Sequence, residues 1–342
     1  MEKYPTISVV FALLNTDLAT WKKTLDALKI QDYPTNKIEY IVMDGGSTNG
    51  SDQLARVYGC KVFVLPRLRN NAGGRIGLGI TKAKGKIILL LESDNIVVGK
   101  QWMKQMVRPF MESKEIVSTF SMHNSFERDM SSLTKYCALL GTNDPLVYYL
   151  GKSEKSLLYD QTYNKGDVVR ETKYYYVTRF TKYNLPTLGT NGHMVLRNVL
   201  RKAVIDPYKY LHTDAFALIL SLGFKDFGVV KNSIIHVSGN SILNLVLRRA
   251  KYKRWHYDNN RNTRYYLVYN PASFRDNVNV IRFAIFSLLI FPTCIESIWW
   301  YLHKKEAAWF LHPIVCYFIT LAYMYSEVRY YVGSLLKRPV RY

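Results

Sequence analysis

Lys86 to Asn95 reads KIILLLESDN: five consecutive aliphatic residues, Ile87 to Leu91, that stop at two carboxylates, Glu92 and Asp94, with Ser93 between them. A run that is apolar at every position, rather than at alternate ones, marks a strand buried on both faces of a parallel sheet. Open sheets of that kind bind ligands beyond the carboxyl ends of their strands, which is where the two acids fall. On spacing alone the acids have two readings. They cap a helix over Asn95 to Val98, or they offer oxygen ligands to a hard divalent cation that itself holds a diphosphate.

Upstream, the alternation of strand and helix repeats. Thr6 to Leu13 (TISVVFAL) reads as a buried strand, and Asp17 or Thr16 caps a helix with Leu18, Trp21, Leu25 and Leu28 at helical spacing. Tyr33-Pro34 closes that unit. A second strand, Ile38 to Met43, runs into the turn Asp44-Gly45-Gly46-Ser47-Thr48-Asn49-Gly50, which opens a helix from Ser51 to Tyr58. A third strand, Lys61 to Leu65, and a glycine-bearing helix, Gly73 to Ala83, lead back to Lys86. Three such alternations predict a mostly parallel α/β sheet. Beyond it a helix is expected from Gln101 to Ile116. Asn124 to Gly189 shows no clean period, apart from ETKYYYVTRF (171–180), whose aromatic and β-branched content predicts a strand.

The composition supports a folded chain with polyanionic partners. Of 342 residues, 48% are hydrophobic, and 47 basic against 26 acidic side chains give a formal charge of +21. That excess suits phosphorylated substrates, anionic lipid or nucleic acid without choosing among them. Cys60, Cys137, Cys294 and Cys316 form no CxxC pair, which argues against a zinc or disulfide framework. The apolar start, Ile7 to Leu14, lacks the basic leader and cleavage site of a secretory signal.

Taken together, TISVVFALLN, then Leu25, Leu28, Gln31 and Tyr33-Pro34, then EYIVMDGGSTNGS, the glycine-bearing helix and LLLESDN resemble the nucleotide-binding half of family 2 inverting glycosyltransferases with the GT-A fold. The resemblance runs over roughly residues 5 to 255. It implies an α/β, Rossmann-like GT-A domain over 1–260, with a nucleotide-sugar half (1–120) and an acceptor half (121–260), followed by a membrane-associated helical region over 261–342.

It also implies roles for residues. Asp44 contacts the base or ribose of the donor, with Gly46, Ser47, Arg75, Glu92 and Ser93 as further donor contacts. Glu92-Ser93-Asp94 stands where the family has its DxD metal motif, Glu92 replacing the usual first Asp, and His236 is a candidate third ligand to Mg2+ or Mn2+. Gly45 replaces an acid often found there. Asn191, Gly192 and His193, in LGTNGHMVL (188–196), are candidates to line the acceptor site. Asp214, in YLHTDAF (210–216), matches the catalytic base, although Thr213 or Asp214 would also serve as a plain helix cap. Arg254 and Trp255 close RRAKYKRW (248–255), loosely similar to the QxxRW element, and are further acceptor-site candidates. Arg67, Arg69 and Arg75 lie between the glycine-rich turn and the acidic strand, where guanidinium groups can face phosphate.

These groups suit inverting transfer. A cation held by the strand-end acids offsets charge on the departing diphosphate, and one general base takes the proton of the incoming hydroxyl. A glycoside hydrolase would need a carboxylate pair flanking the bond instead. A nucleotidyltransferase of similar fold would need a basic triphosphate loop after the first strand, and FALLNTD has none. A basic membrane protein that binds nucleic acid rests on charge alone, so no nucleic-acid partner is expected.

Phe283 to Tyr301 and Ala307 to Tyr325 are 19-residue apolar segments, each about 28 Å long as a helix, close to a hydrocarbon core. Trp299, Trp300 and Trp309 fall near their ends. Glu296 and His312-Pro313 oppose a full span, so the alternative is a hairpin in the interface, with Arg275, Arg282, Arg329, Lys337, Arg338 and Arg341 on anionic headgroups. Either form gives a membrane-associated protein whose acceptor is lipid-linked or a surface glycan. The catalytic domain should face the cytoplasm, where nucleotide sugars are made.

Overall fold

A computed structural model describes residues 4–254 and 263–335, with side chains described to residue 332. In chain order the strands are β1 Ile7–Leu13, β2 Ile38–Asp44, β3 Lys61–Val64, β4 Ile87–Leu91, β5 Asn95–Val97, β6 Ser118–Ser125, β7 Asp167–Glu171, β8 Tyr175–Arg179, β9 Asn191–Leu196 and β10 Asp226–His236. The α-helices are α1 Leu18–Lys29, α2 Ser51–Val57, α3 Ala72–Lys82, α4 Trp102–Glu112, α5 Ser132–Leu140, α6 Pro145–Tyr149, α7 Arg197–Lys202, α8 His212–Ser221, α9 Ile242–Lys253, α10 Phe274–Leu289, α11 Phe291–His303 and α12 His312–Leu335.

The chain divides into two compact units. The first takes in Met1–Ser125, Glu154–Ser156 and Asp160–Val237; the second takes in Phe126–Ser153, Leu157–Tyr159 and Ser238–Tyr342. This division does not follow a boundary at residue 260.

The first unit is built on one sheet of order β3-β2-β1-β4-β9-β6-β10-β8-β7, with β5 paired to β10. β1 to β4 run parallel, while β9 inserts antiparallel between β4 and β6. Every residue of β4 is at most 1% exposed, and each such aliphatic side chain contributes about 2 kcal/mol of burial. Two carboxylates cannot continue a strand enclosed on both faces, so the apolar run ends at Glu92. On α1, Trp21, Thr24, Leu25 and Leu28 form the buried stripe, and Asp17 caps it by accepting from Thr20 N–H.

Three expectations are corrected here. Asn95 to Val98 is not a helix, so Glu92 and Asp94 cap none; Asn95–Val97 is a strand antiparallel to the end of β10, with His236 opposite Asn95. ETKYYYVTRF is not one strand, because Glu171 ends β7 and Tyr175–Arg179 is β8, its antiparallel partner. The NG pair of LGTNGHMVL, which the resemblance implies to be a turn near the donor's sugar and the acceptor, lies within β9, where Gly192, at φ +79°, is a bulge inside the β4–β9 pairing.

In the second unit, α5, α6 and α9–α12 surround a core that includes Tyr136, Trp300, Trp309, Val315 and Ile319. The first apolar segment is not a straight helix. It breaks at Ile290, whose φ of +60° lies in a region β-branched residues avoid, and α10 and α11 meet there at 93°. The second segment starts as a 3-10 turn, Ala307–Leu311, and continues as α12. Ala307–Val332 is the only single helix among the described residues long and apolar enough to cross a membrane, and its most apolar window is 44% buried. His312 and Glu296, the titratable residues that oppose a span, are paired inside the unit. His312 Nδ1 lies 2.8 Å from the Tyr136 hydroxyl, and Glu296 accepts from Tyr149 and lies 3.7 Å from Arg282.

Candidate active site

The site grows from the carboxyl ends of β1, β2 and β4. After β2, the Asp44 carboxylate is almost wholly buried and accepts from the Gly46 and Ser47 N–H groups and the Ser47 hydroxyl. Ser47 Oγ also accepts from Asn15 N–H, and Asn15 Oδ1 accepts from Thr48 N–H, so the glycine-rich turn is tied to the end of β1. Gly46 sits at φ +84°, where only glycine is relaxed.

Glycine at 45 has a separate cause. A Cβ there would lie 2.2 Å from a terminal nitrogen of Arg75. The guanidinium thus occupies the space a side chain would take. Arg75 is 3% exposed, donates to the carbonyls of Leu68 and Arg69, and has a buried Nε–H with no hydrogen-bond partner. Burial holds its pKa below the ordinary arginine value, against the opposing pull of Asp44 and Glu92.

At the end of β4, Ser93 turns inward to a 2.6 Å hydroxyl contact with Thr16. Asp94 lies 3.7 Å from His236 Nε2, a juxtaposition created by the β5–β10 pairing. The Glu92 carboxyl accepts from the Thr190 hydroxyl. Burial, and then the neighbouring charge of Asp94, raise its pKa above the usual carboxylate range, outweighing Thr190, His236 and Arg75.

Two acids, one of them reluctant to ionise beside the other, and an imidazole make a donor set that a hard divalent cation would satisfy. The expected three-ligand set is nevertheless not preformed: among the described residues, no three His, Cys, Asp or Glu side chains cluster for a metal. Thr190 holds Glu92, while Asp94 and His236 make a pair. Small hard cations need little more, since one or two carboxylates suffice when substrate phosphates complete the shell.

The second half of the site arrives through α3. A Cβ at Gly73 would stand 2.2 Å from the Tyr210 carbonyl oxygen, and one at Gly77 2.1 Å from that of Pro207. These glycines let the 3-10 turn Pro207–Lys209 lie directly on the helix, which fixes where α8 begins. The Tyr210 hydroxyl, buried without a hydrogen-bond partner, has its pKa pushed up by burial and then by the charge of Glu92. Asp214 is the third residue of α8 and 8% exposed, whereas the N-cap is Leu211 with no side-chain cap bond. Neither Thr213 nor Asp214 is therefore the cap.

The expected acceptor residues fare unevenly. Asn191 is half-buried, and Gly192 is packed, a Cβ there falling 2.6 Å from Ile234. His193 is fully buried, stacked on Phe120 and 2.9 Å from Glu154 Oε2, so its side chain lines no acceptor site. Arg254 caps α9 in the second unit, and Trp255 lies outside the described residues. Of the other arginines, Arg69 donates to the Gly46 carbonyl and Arg67 is exposed. Sequence reading passed over Thr190 and Tyr210, which lie inside stretches singled out for other residues, and Glu154, which lies in no motif.

A parallel half-sheet joined to antiparallel strands, with acids at its strand ends, defines the GT-A class of sugar-transferring enzymes. The family model described as glycosyl transferase family 2 matches residues 8–202, more than half of the 342-residue chain, and the chain belongs to that family. It is a glycosyltransferase by family. Its fold is similar to that of the mannosyltransferase PcManGT from Pyrobaculum calidifontis, solved with GDP-Man and Mn2+, at TM-score 0.55 and 11% identity, covering 96% of this chain and 88% of that one. Two further structures have lower scores and carry no argument. S. aureus TarS 1-349 matches at TM-score 0.44 and 11% identity over 98% of this chain and 93% of that one. Mycobacterium tuberculosis glucosyl-3-phosphoglycerate synthase, with phosphoglyceric acid, matches at 0.43 and 18% over 70% and 75%.

Proposed function

We propose that the protein transfers a sugar from a nucleotide-diphosphate donor to a lipid-linked or surface-glycan acceptor, with inversion. The observation that carries this reading is the convergence of Glu92, Asp94, His236 and Arg75 beside the Asp44 turn. Glu92 and Asp94 would hold Mg2+ or Mn2+, with His236 alongside; when bound, the cation acts as Lewis acid toward the departing diphosphate. PcManGT, of the same fold, is solved with Mn2+ and a nucleotide sugar. Arg75, with an unmet N–H, adds fixed positive charge on the diphosphate side. Asp214 takes the proton from the attacking hydroxyl, since the Pro207–Tyr210 turn brings the start of α8 toward Glu92. Asn191 contacts the acceptor.

We also place the protein at a membrane, catalytic domain facing the cytoplasm. The second unit presents large apolar side chains to solvent, among them Phe291 at 69%, Ile281 at 59% and Trp299 at 59%, beside the exposed cations Arg282, Lys304 and Lys305. An amphipathic helical face of that kind suits anionic headgroups.

The test is binding followed by turnover. UDP or GDP with Mn2+ should raise the thermal midpoint, and a matching nucleotide sugar should be consumed with the product anomer inverted by NMR. Absence of stabilisation by any nucleoside diphosphate, with or without Mn2+, would overturn the reading.

A further inference from the structure

A buried ionic cluster in the first unit has no part in the chemistry above. Glu154 is 6% exposed, Lys155 1% and His193 0%. Residues 154–156 return to the sheet beside β6, where Ser156 N–H donates to the Met122 carbonyl. Glu154 Oε2 accepts from Gly189 N–H at 3.1 Å and contacts His193 Nε2 at 2.9 Å, while its Oε1 lies 3.4 Å from Lys155 Nζ. The Lys155 ammonium, in turn, donates to the Asn191 carbonyl at 3.4 Å. Residues 189, 191 and 193 are thereby all held by one pair of adjacent side chains. Between the anchors sits Thr190, its hydroxyl on Glu92. Gly189 also faces α8: a Cβ there would stand 3.5 Å from the His212 ring and 4.0 Å from Glu154 Oε2.

Burying an ionic cluster is weak support for stability, because apolar side chains of similar volume serve about as well. What such a cluster supplies here is a fixed backbone. We propose that Glu154 and Thr190 are positioning residues: Glu154 locks the 189–193 segment so that the Thr190 hydroxyl orients the Glu92 carboxylate toward a cation held at the end of β4. This rests on the proposed metal-assisted transfer.

The experiment measures Mn2+ binding by electron paramagnetic resonance, with UDP or GDP present, on the full chain and on Thr190→Val, Thr190→Ser, Glu154→Gln, the Thr190→Val/Glu154→Gln pair and Asp94→Asn. Removing a group that orients a metal ligand typically weakens affinity 10–100-fold. Thr190→Val and Glu154→Gln should each weaken Mn2+ binding about tenfold, Thr190→Ser should restore it, and the pair should be no worse than the more severe single change. Unchanged affinity in Thr190→Val, or losses that multiply in the pair, would overturn the proposal. Should Glu154→Gln not fold, the Val and Ser variants at 190 still decide it. Retained binding in Asp94→Asn as well as Thr190→Val would instead overturn the metal assignment itself, whereas loss in Asp94→Asn alone would sink only this inference.

Discussion

The strand-end site of the first unit and the second unit handle charge in opposite ways. In the first, Asp44, Arg75, Glu92 and Asp94 gather at strand ends without being fully neutralised: Arg75 keeps an unmet N–H, and Glu92 is held above its ordinary pKa. In the second, Glu296, His312, Lys152 and Asp276 are paired inside the unit, and large apolar side chains such as Phe291, Ile281 and Trp299 are exposed. Unmet charge at a sheet edge is what a charged ligand completes, whereas exposed apolar helix faces are what a hydrophobic surface completes. On the proposed reading, chemistry belongs to the first unit and membrane attachment to the second, and mutations should separate them.

The largest effect is expected at Asp214. Asp214→Asn should lower kcat about 10²–10⁴-fold, leaving nucleotide affinity by calorimetry and vesicle binding within a few-fold of the parent. A matching loss of nucleotide affinity would assign Asp214 a structural task and break the comparison from the first unit's side. The counterpart is Phe291→Asp with Ile298→Asp, both exposed positions. Each should weaken binding to anionic vesicles about tenfold in flotation, from the apolar burial removed, while UDP or GDP binding stays put. Undiminished flotation would break it from the other side.

A smaller change sharpens the first unit's assembly. Gly77→Ala places a methyl 2.1 Å from the Pro207 carbonyl oxygen and 2.8 Å from the Tyr210 Cβ. We expect a loss of about 1–3 kcal/mol in chemical denaturation, with activity falling further than stability explains because α8 is displaced. Normal kcat in a destabilised Gly77→Ala would show that α8 does not depend on this packing.

The subtlest effect concerns pH. Burial alone would raise the Glu154 pKa, but Lys155 and His193 hold it down to about 2, from an ordinary 4.5. A lowered carboxylate pKa contributes stability that is present above pH 4.5 and lost as pH falls toward 2. Glu154→Gln should therefore be less stable at neutral pH and show a flatter decline across that window by denaturant titration. An unchanged slope would mean that Glu154 is not ionised in the folded state.

Legibility followed sequence distance. β1 to β4 and their helices were readable because their period, caps and turn residues are local signals. Glu92 and Asp94 stand out because carboxylates at the end of an apolar run are visible in one dimension, whereas Asp214 is singled out only by the resemblance to the family's catalytic base. His193, which the resemblance offers as an acceptor-site residue, is instead buried because β9 is inserted between β4 and β6.

The chain by itself determined the alternating layer, the abrupt end of β4 and the acids beyond it, since a strand buried on both faces cannot carry ionised carboxylates within it. Tertiary structure alone decided that Asn95–Val97 is a strand and so brings His236 to Asp94, that Arg75 fills the space over Gly45, and that α10 and α11 part at Ile290. Each of these depends on groups far apart in sequence whose shapes and charges meet only after the sheet has closed, and no local period or propensity encodes such a meeting.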